Sequence, residues 1–190
     1  MEKIKQIFVI VLVSLALNLS SQNNEIIRPG LIRAMATLSP SKMLSDRGAY
    51  FYLHGNLEGY LSKNISVCGE GYYFLGSQNS NSNIDFMHNL FYGFSYHVIK
   101  NNHDLYFGIQ SGMAFVKLKA SETGLTSSSL GADPVFSTIA GYNFYVNKVF
   151  HFFIQSRIII GEHNYDQNKN ISEFRFSAGL GFNINAVRVK

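Results

Sequence analysis

The sequence has no Trp, one Cys and 3 Pro in 190 residues, and Asp, Glu, Lys and Arg together make up only 15% of it. A single Cys excludes an internal disulfide framework. The charged fraction falls well below the roughly 25–35% that covers the surface of a soluble domain. The only long apolar run lies at the N-terminus, which excludes a bundle of membrane helices. The formal net charge of +4 is spread along the chain without a basic cluster, so nothing in it calls for a nucleic-acid reader. Neither GxxxxGK[ST] nor GxGxxG occurs, so the chain carries no glycine loop for nucleotide phosphates. The length is that of one domain, or at most two small ones.

What is present begins with an export signal. Lys3 and Lys5 precede Ile7–Leu19, which is apolar apart from Ser14 and Asn18, and Ser20-Ser21-Gln22 offers small residues for cleavage. About 20 apolar residues are needed to span a bilayer as a helix, and this run is too short. The reading is a cleaved signal peptide at residues 1–21, with one domain over residues 22–190.

From Gly30 onward, polarity alternates with a period of two, and no stretch has the 3.6-residue period of an amphipathic helix. The segments are Leu31–Ser39, Tyr50–Leu61, Ile65–Leu75, Phe86–Ile99, Leu105–Leu118, Val135–Val146, Val149–Ile160 and Ile171–Ile184. In the last, Phe174, Phe176, Ala178, Leu180, Phe182 and Ile184 share one face, opposite Glu173, Arg175, Ser177, Gly179, Gly181 and Asn183. Phe153 and Ile159 are exceptions, falling on the polar face of the seventh segment. The connectors alternate too. Ser62–Asn64, Asn101–Asp104 and Asn147-Lys148 are tight turns, whereas Lys42–Gly48, Gly76–Asp85, Lys119–Asp133 and Gly161–Asn170 are longer and polar. Three short turns at one end and four long loops at the other predict an all-β, eight-stranded antiparallel up-and-down barrel with both termini at the short-turn end.

Alternation alone does not say which face is outside, because a soluble ligand-binding barrel and a membrane barrel show the same period. The small residues decide it. An eight-stranded barrel has an interior just wide enough to fill with side chains. Gly108, Gly112, Ala114, Gly179 and Gly181 lie on the polar face, while bulky Phe, Leu and Ile lie on the other. Charge points the same way: the polar face carries Arg33, Arg157 and Arg175 against Glu58, Glu70 and Glu173. Charges removed from water are tolerable when paired, so these six are expected as two tiers of ion pairs plugging the lumen, Arg33 with Glu58 low and the other four nearer mid-height. Segments of this length match the about 9–11 tilted residues that cross a bilayer. Tyr73, Tyr92, Tyr96, Tyr142 and Phe182 fall on the outward face as candidates for interfacial aromatic girdles.

The end of the last segment, Ser177-Ala178-Gly179-Leu180-Gly181-Phe182-Asn183-Ile184, resembles the β-signal read by the outer-membrane assembly machinery, with Ser177, Gly179, Phe182 and Ile184 at its characteristic positions. The chain departs from the commonest form of that signal by continuing to Lys190. From about Gly30 to Ile184 it resembles the small eight-stranded outer-membrane barrels of the OmpA transmembrane-domain and OmpX type. That resemblance implies an integral transmembrane β-barrel in the outer membrane of a Gram-negative bacterium, with the termini in the periplasm. The expected partners are outer-membrane lipid, the assembly machinery during biogenesis and an envelope protein. It implies no catalytic residue and no cofactor.

Ser95, His97 and Glu58 supply the parts of a nucleophile–base–orienter set, but the register points Ser95 and His97 into the lumen, where a hydrogen-bonded structural His is the expectation. His54, His88 and His151 lack a metal-ligand spacing. Asp104, Asp133 and Asp166 read as connector residues without a calcium-loop pattern, and Cys68 as a small packed side chain. No catalytic, cofactor or metal site is expected. The expected role is structural or interactive, with a narrow channel or a lipid-modifying enzyme as alternatives. The Ser/Thr-rich stretch Ser121–Ser129 is a candidate surface contact.

Overall fold

The computed structural model describes residues 26–27, 29–45, 48–78, 83–119, 130–165 and 168–185. Residues 1–21, Ser121–Ser129, Asp166 and the tail 186–190 lie outside them. The described residues form strands β1 (Leu31–Met43), β2 (Ala49–Tyr60), β3 (Ile65–Ser77), β4 (Ile84–Lys100), β5 (His103–Leu118), β6 (Gly131–Tyr145), β7 (Phe150–His163), the two-residue β8 (Lys169–Asn170) and β9 (Glu173–Asn185). Each long strand pairs antiparallel with its chain neighbours. β1 pairs with β9, β6 pairs with β7, and β8 hangs on the end of β7. The result is a closed, eight-stranded, up-and-down barrel without a free edge.

The period-two pattern becomes the two walls. Leu53, Leu57, Phe94, Ile109, Ile160 and Phe182 are among the exposed large apolar residues, whereas Arg33, Glu58, Glu70, Arg157, Glu173 and Arg175 are all buried. Tyr73, Tyr92, Tyr96 and Phe182 stand exposed on the outer wall as their register requires. The strands continue past the segments seen in the sequence: β1 reaches Met43 and β4 runs for 17 residues. That exceeds the about 9–11 residues needed to cross hydrocarbon, so the strands extend beyond the apolar belt.

Local chemistry sets the ends. Ser62 Oγ accepts from the Asn64 and Ile65 amides, and Asn147 Oδ1 from the Val149 and Phe150 amides, the side-chain turn bonding that Ser and Asn favour. Asn101 takes the left-handed conformation (φ 56°) that the β4–β5 turn requires. At the long-loop end, a bulge between β2 and β3 pairs Tyr52 with Phe74 and Phe51 with Gly76. Beside it, the Phe74 amide donates to His88 Nδ1 at 3.0 Å.

Inside, glycines make room for large groups. A Cβ on Gly141 would lie 2.3 Å from the Tyr106 ring, one on Gly181 2.3 Å from His151 and one on Gly93 2.2 Å from the Ile109 carbonyl oxygen. On the outer wall, a Cβ on Gly55, Gly59 or Gly69 would meet nothing within 4 Å. Gly93→Ala should therefore cost about 1–3 kcal/mol through overpacking, read as a lower urea midpoint in detergent. Gly59→Ala should leave that midpoint unchanged or slightly raised.

Candidate functional site

The lumen is the chemically distinctive part of the molecule, and it is layered. At the short-turn mouth, Ile27, Leu31, Tyr60 and Tyr145 form an apolar cap, with Ile26 and Ile99 against it. Immediately above lies the low charged tier. Arg33 Nε donates to Glu58 Oε2 at 3.0 Å, Arg33 Nη1 to Asp104 Oδ2 at 3.3 Å and to the Tyr145 hydroxyl at 3.0 Å. The guanidinium lies 5.3 Å from the Tyr60 ring centroid and 5.7 Å from that of Tyr106, within cation–π range. His97 fills the gap between the carboxylates, with Nδ1 2.9 Å from Asp104 Oδ1 and Nε2 3.0 Å from Glu58 Oε1. Both ring nitrogens face carboxylate oxygens.

Higher up, Glu70 forms an ion pair with Arg157, whose Nη2 lies 2.6 Å from its Oε2, and accepts from Gln110 (2.8 Å), His54 (2.9 Å) and Gln155 (3.0 Å). Arg157 also donates to Gln110 Oε1 at 2.7 Å and Ser137 Oγ at 2.6 Å. Above this pair, Arg175 Nε donates to Glu173 Oε2 at 2.8 Å, and Glu173 also accepts from Tyr52 (2.9 Å) and Ser41. Tyr72 links the two pairs, its ring centroid 5.3 Å from the Arg157 guanidinium and 4.5 Å from that of Arg175. Each of the three Arg has one of the three Glu as partner. The four upper residues form two ion pairs in series.

Two features were not legible. Asp104 and Asp133, read as connector residues, lie on β5 and β6 and are buried. Asp104 belongs to the low tier, and Asp133 Oδ2 lies 2.7 Å from His163 Nδ1 near the long-loop end. The Asn101–Asn102 turn hid the first, because it made the polar run up to Asp104 read as one loop. The second feature is that the long-loop end of the lumen is apolar. Met43, Tyr50, Ile84, Met87, Val116, Leu118, Ile159 and Ile171 belong to one buried cluster there. Ile159, an exception to the alternation, is explained by it.

The candidate catalytic set does not assemble. Ser95 Oγ lies 3.8 Å from Cys68 Sγ, and His97 turns instead to Ser66, whose Oγ is 2.9 Å from its Nε2. Ser66, His97 and Asp104 have the spacing of a nucleophile, base and orienter. Ser66 is nonetheless wholly buried and its hydroxyl donates to Glu58, so no substrate carbonyl can approach it. Among the described residues, no group of three or more His, Cys, Asp or Glu is placed to hold a metal ion. The outer wall bears a groove of about 780 Å³, lined by Phe94, Phe107, Ile109, Ile158 and Phe174 around the smaller Thr138, Ala140 and Ser156. Its surface is apolar, like the rest of that wall.

The architecture is that of the small eight-stranded transmembrane β-barrels of Gram-negative outer membranes. Neisserial surface protein A is similar over 82% of this chain and 96% of its own, with a TM-score of 0.63 at 10% identity. The outer membrane protein OprG of Pseudomonas aeruginosa gives 0.63 at 10% identity over 84% and 98% of the two chains. The N-terminal β-barrel domain of OprF from the same organism gives 0.60 at 11% identity over 82% and 98%. No protein-family model and no curated protein sequence matches the chain. What these neighbours share with it is the fold.

Removing one member of the low tier should strand a buried charge. Glu58→Gln should destabilise the barrel by about 3–5 kcal/mol, measured by reversible urea unfolding in detergent. Arg33→Met combined with Glu58→Met leaves His97 facing Asp104 and should recover much of that loss.

Proposed function

We propose that the protein is an integral outer-membrane β-barrel with a structural or interaction role, its lumen closed to free passage and its long loops turned outward to envelope partners. The observation that carries this reading is the layering of buried side chains along the lumen. An apolar cap, three levels of ion pairs and an apolar cluster follow one another from the short-turn mouth to the long-loop end. An outer wall of exposed Leu, Ile, Phe and Tyr supports the bilayer as its surroundings. Closure gives each long strand two hydrogen-bonded neighbours, as hydrocarbon demands, and where the β1–β9 ladder is interrupted the Thr37 and Ser39 hydroxyls donate to the Ala178 and Phe176 carbonyls.

The remaining assignments belong to the same reading. Residues 1–21 act as a cleaved export signal, and the short-turn end and both termini face the periplasm. Ser177, Gly179, Phe182 and Ile184 act as the signal to the assembly machinery. In the barrel, Ser177 is buried in the lumen while Phe182 and Ile184 are exposed outside, so the four present one polar and one apolar edge along β9. The protein is not an enzyme in this reading, since its Ser, His and carboxylate groups are spent on lumen hydrogen bonds.

The test is electrical. Reconstituted into planar bilayers, the folded protein should give no discrete conductance steps at neutral pH. Steps of uniform size would instead establish a narrow channel through the ion-pair levels. Ser66→Ala and His97→Ala should leave outer-membrane lipid composition as it is in cells carrying the unaltered protein.

A further inference from the structure

The ladder that joins the first and last long strands is broken in its middle. Leu31 to Met35 of β1 pair with Asn185 to Gly181 of β9, and Ser41 to Met43 pair with Arg175 to Glu173, but residues 36–40 have no ladder partner among residues 176–180. Counting one residue along each strand from the Met35 and Gly181 pair reaches Ser41 and Arg175 with none left over, so the break is not a bulge. The strands stay in register and part, with Leu38 opposite Ala178 and Pro40 opposite Phe176. The β1–β2, β5–β6, β6–β7 and β7–β9 ladders pair without a gap, and β4–β5 has only an irregularity at Ile84, the first residue of β4.

Proline supplies the cause. The Leu44 amide donates to the Ser172 carbonyl at 2.9 Å, so every second residue of β1 counted back from Leu44 turns its backbone groups toward β9, Pro40 among them. Pro40 has no N–H to give. A proline within a sheet belongs on an edge or at a bulge, and this wall offers it neither. Pro134, the other proline of the strands, stands one residue past the end of the β6–β7 ladder.

Side-chain hydroxyls stand in for the missing amides. Thr37 Oγ1 donates to the Ala178 carbonyl at 2.6 Å and Ser39 Oγ to the Phe176 carbonyl at 2.8 Å. Thr37 is only partly buried, although Met35 and Ser39 on the same inward face are buried. Its side chain lies in the seam against Gly179, where a Cβ would come within 3.2 Å of its hydroxyl. From the seam a hydrogen-bonded chain runs inward. Ser177 Oγ donates to Ser39 Oγ at 3.0 Å and lies 3.1 Å from His54 Nδ1, whose Nε2 is 2.9 Å from Glu70 Oε2. Both ends of the lumen are lined by apolar clusters, whereas the seam carries polar groups from the wall to the core.

We infer that the β1–β9 seam is a lateral gate: the wall opens between residues 36–40 and 176–180 while the other ladders stay closed, and the Thr37 and Ser39 hydroxyls are its latch. Opening there breaks two side-chain bonds across the seam. Opening a continuous ladder over the same length breaks a backbone pair at every second residue, and local opening takes the route of lowest free energy. The parted strands admit water sideways to Ser39, Ser177 and His54, beside the Glu70–Arg157 ion pair, without passage through either apolar end.

The experiment is amide hydrogen exchange, read residue by residue by NMR on the folded protein in detergent micelles. The Leu38, Ala178 and Leu180 amides should exchange many times faster than the mid-strand amides of the β4–β5 ladder, residues 90–94 and 109–113. Removing one hydroxyl, by Thr37→Val or Ser39→Ala, should raise the seam rates about fivefold, the worth of one net hydrogen bond, and leave the β4–β5 rates as they were. Pro40→Ala, which returns an N–H facing β9, should slow the seam. A heat-shifted band on gels verifies that each variant is folded. Seam amides as well protected as those of β4–β5 in the unaltered protein overturn the inference. So does fast exchange that none of the three substitutions alters, since nothing would then be latched. Equal acceleration of every ladder by Thr37→Val overturns it too, because the opening would be global.

Discussion

The interior of an eight-stranded barrel is just wide enough to be filled by its own side chains, and the rest of this structure follows from how that narrow volume is filled. The inner wall must supply enough bulk to exclude voids, yet the chain sends its Leu, Ile and Phe mainly outward. The bulk therefore comes from Tyr, Arg, His and Gln, groups large enough to meet across the lumen but polar enough to need partners. Glycines opposite them set where each can lie. Tyr106 occupies the space above Gly141, and His151 that above Gly181.

Filling the lumen with polar groups creates an electrostatic problem that the register solves. Arg33 and Glu58 are direct partners across β1 and β2, so the low pair is made by neighbouring strands. Arg157 and Glu70 sit on β7 and β3 and meet only because the sheet closes. Such bonds tie opposite walls together and give the lumen a single arrangement. The aromatic rings serve twice, as filling and as cation–π faces: Arg175 lies 3.9 Å from the Tyr52 centroid and Arg157 4.4 Å from that of Phe91. The apolar cluster at the long-loop end and the apolar cap at the short-turn end bracket these bonds.

Much of this was legible in the sequence because β structure writes its two faces directly into a period of two. Strand number, loop asymmetry and the apolar outer wall all follow from that period and from the place of small residues on the polar face. The period fails to report what stands opposite what across the barrel, since cross-lumen neighbours such as Glu70 and Arg157 are 87 positions apart and no local pattern links them. It also loses residues at strand ends, where a polar residue belongs equally to a turn or to an inner wall. Asp104 and Asp133 were misplaced for that reason.

The sequence by itself determined the class of fold and which side of each strand meets which surroundings, because both depend only on the order of polar and apolar residues along the chain. The tertiary structure alone decided that His97 sits between Glu58 and Asp104 rather than beside a usable serine. It alone decided that the upper lumen is apolar. These depend on closure and shear, which bring together residues whose separation in the chain carries no information about their separation in space.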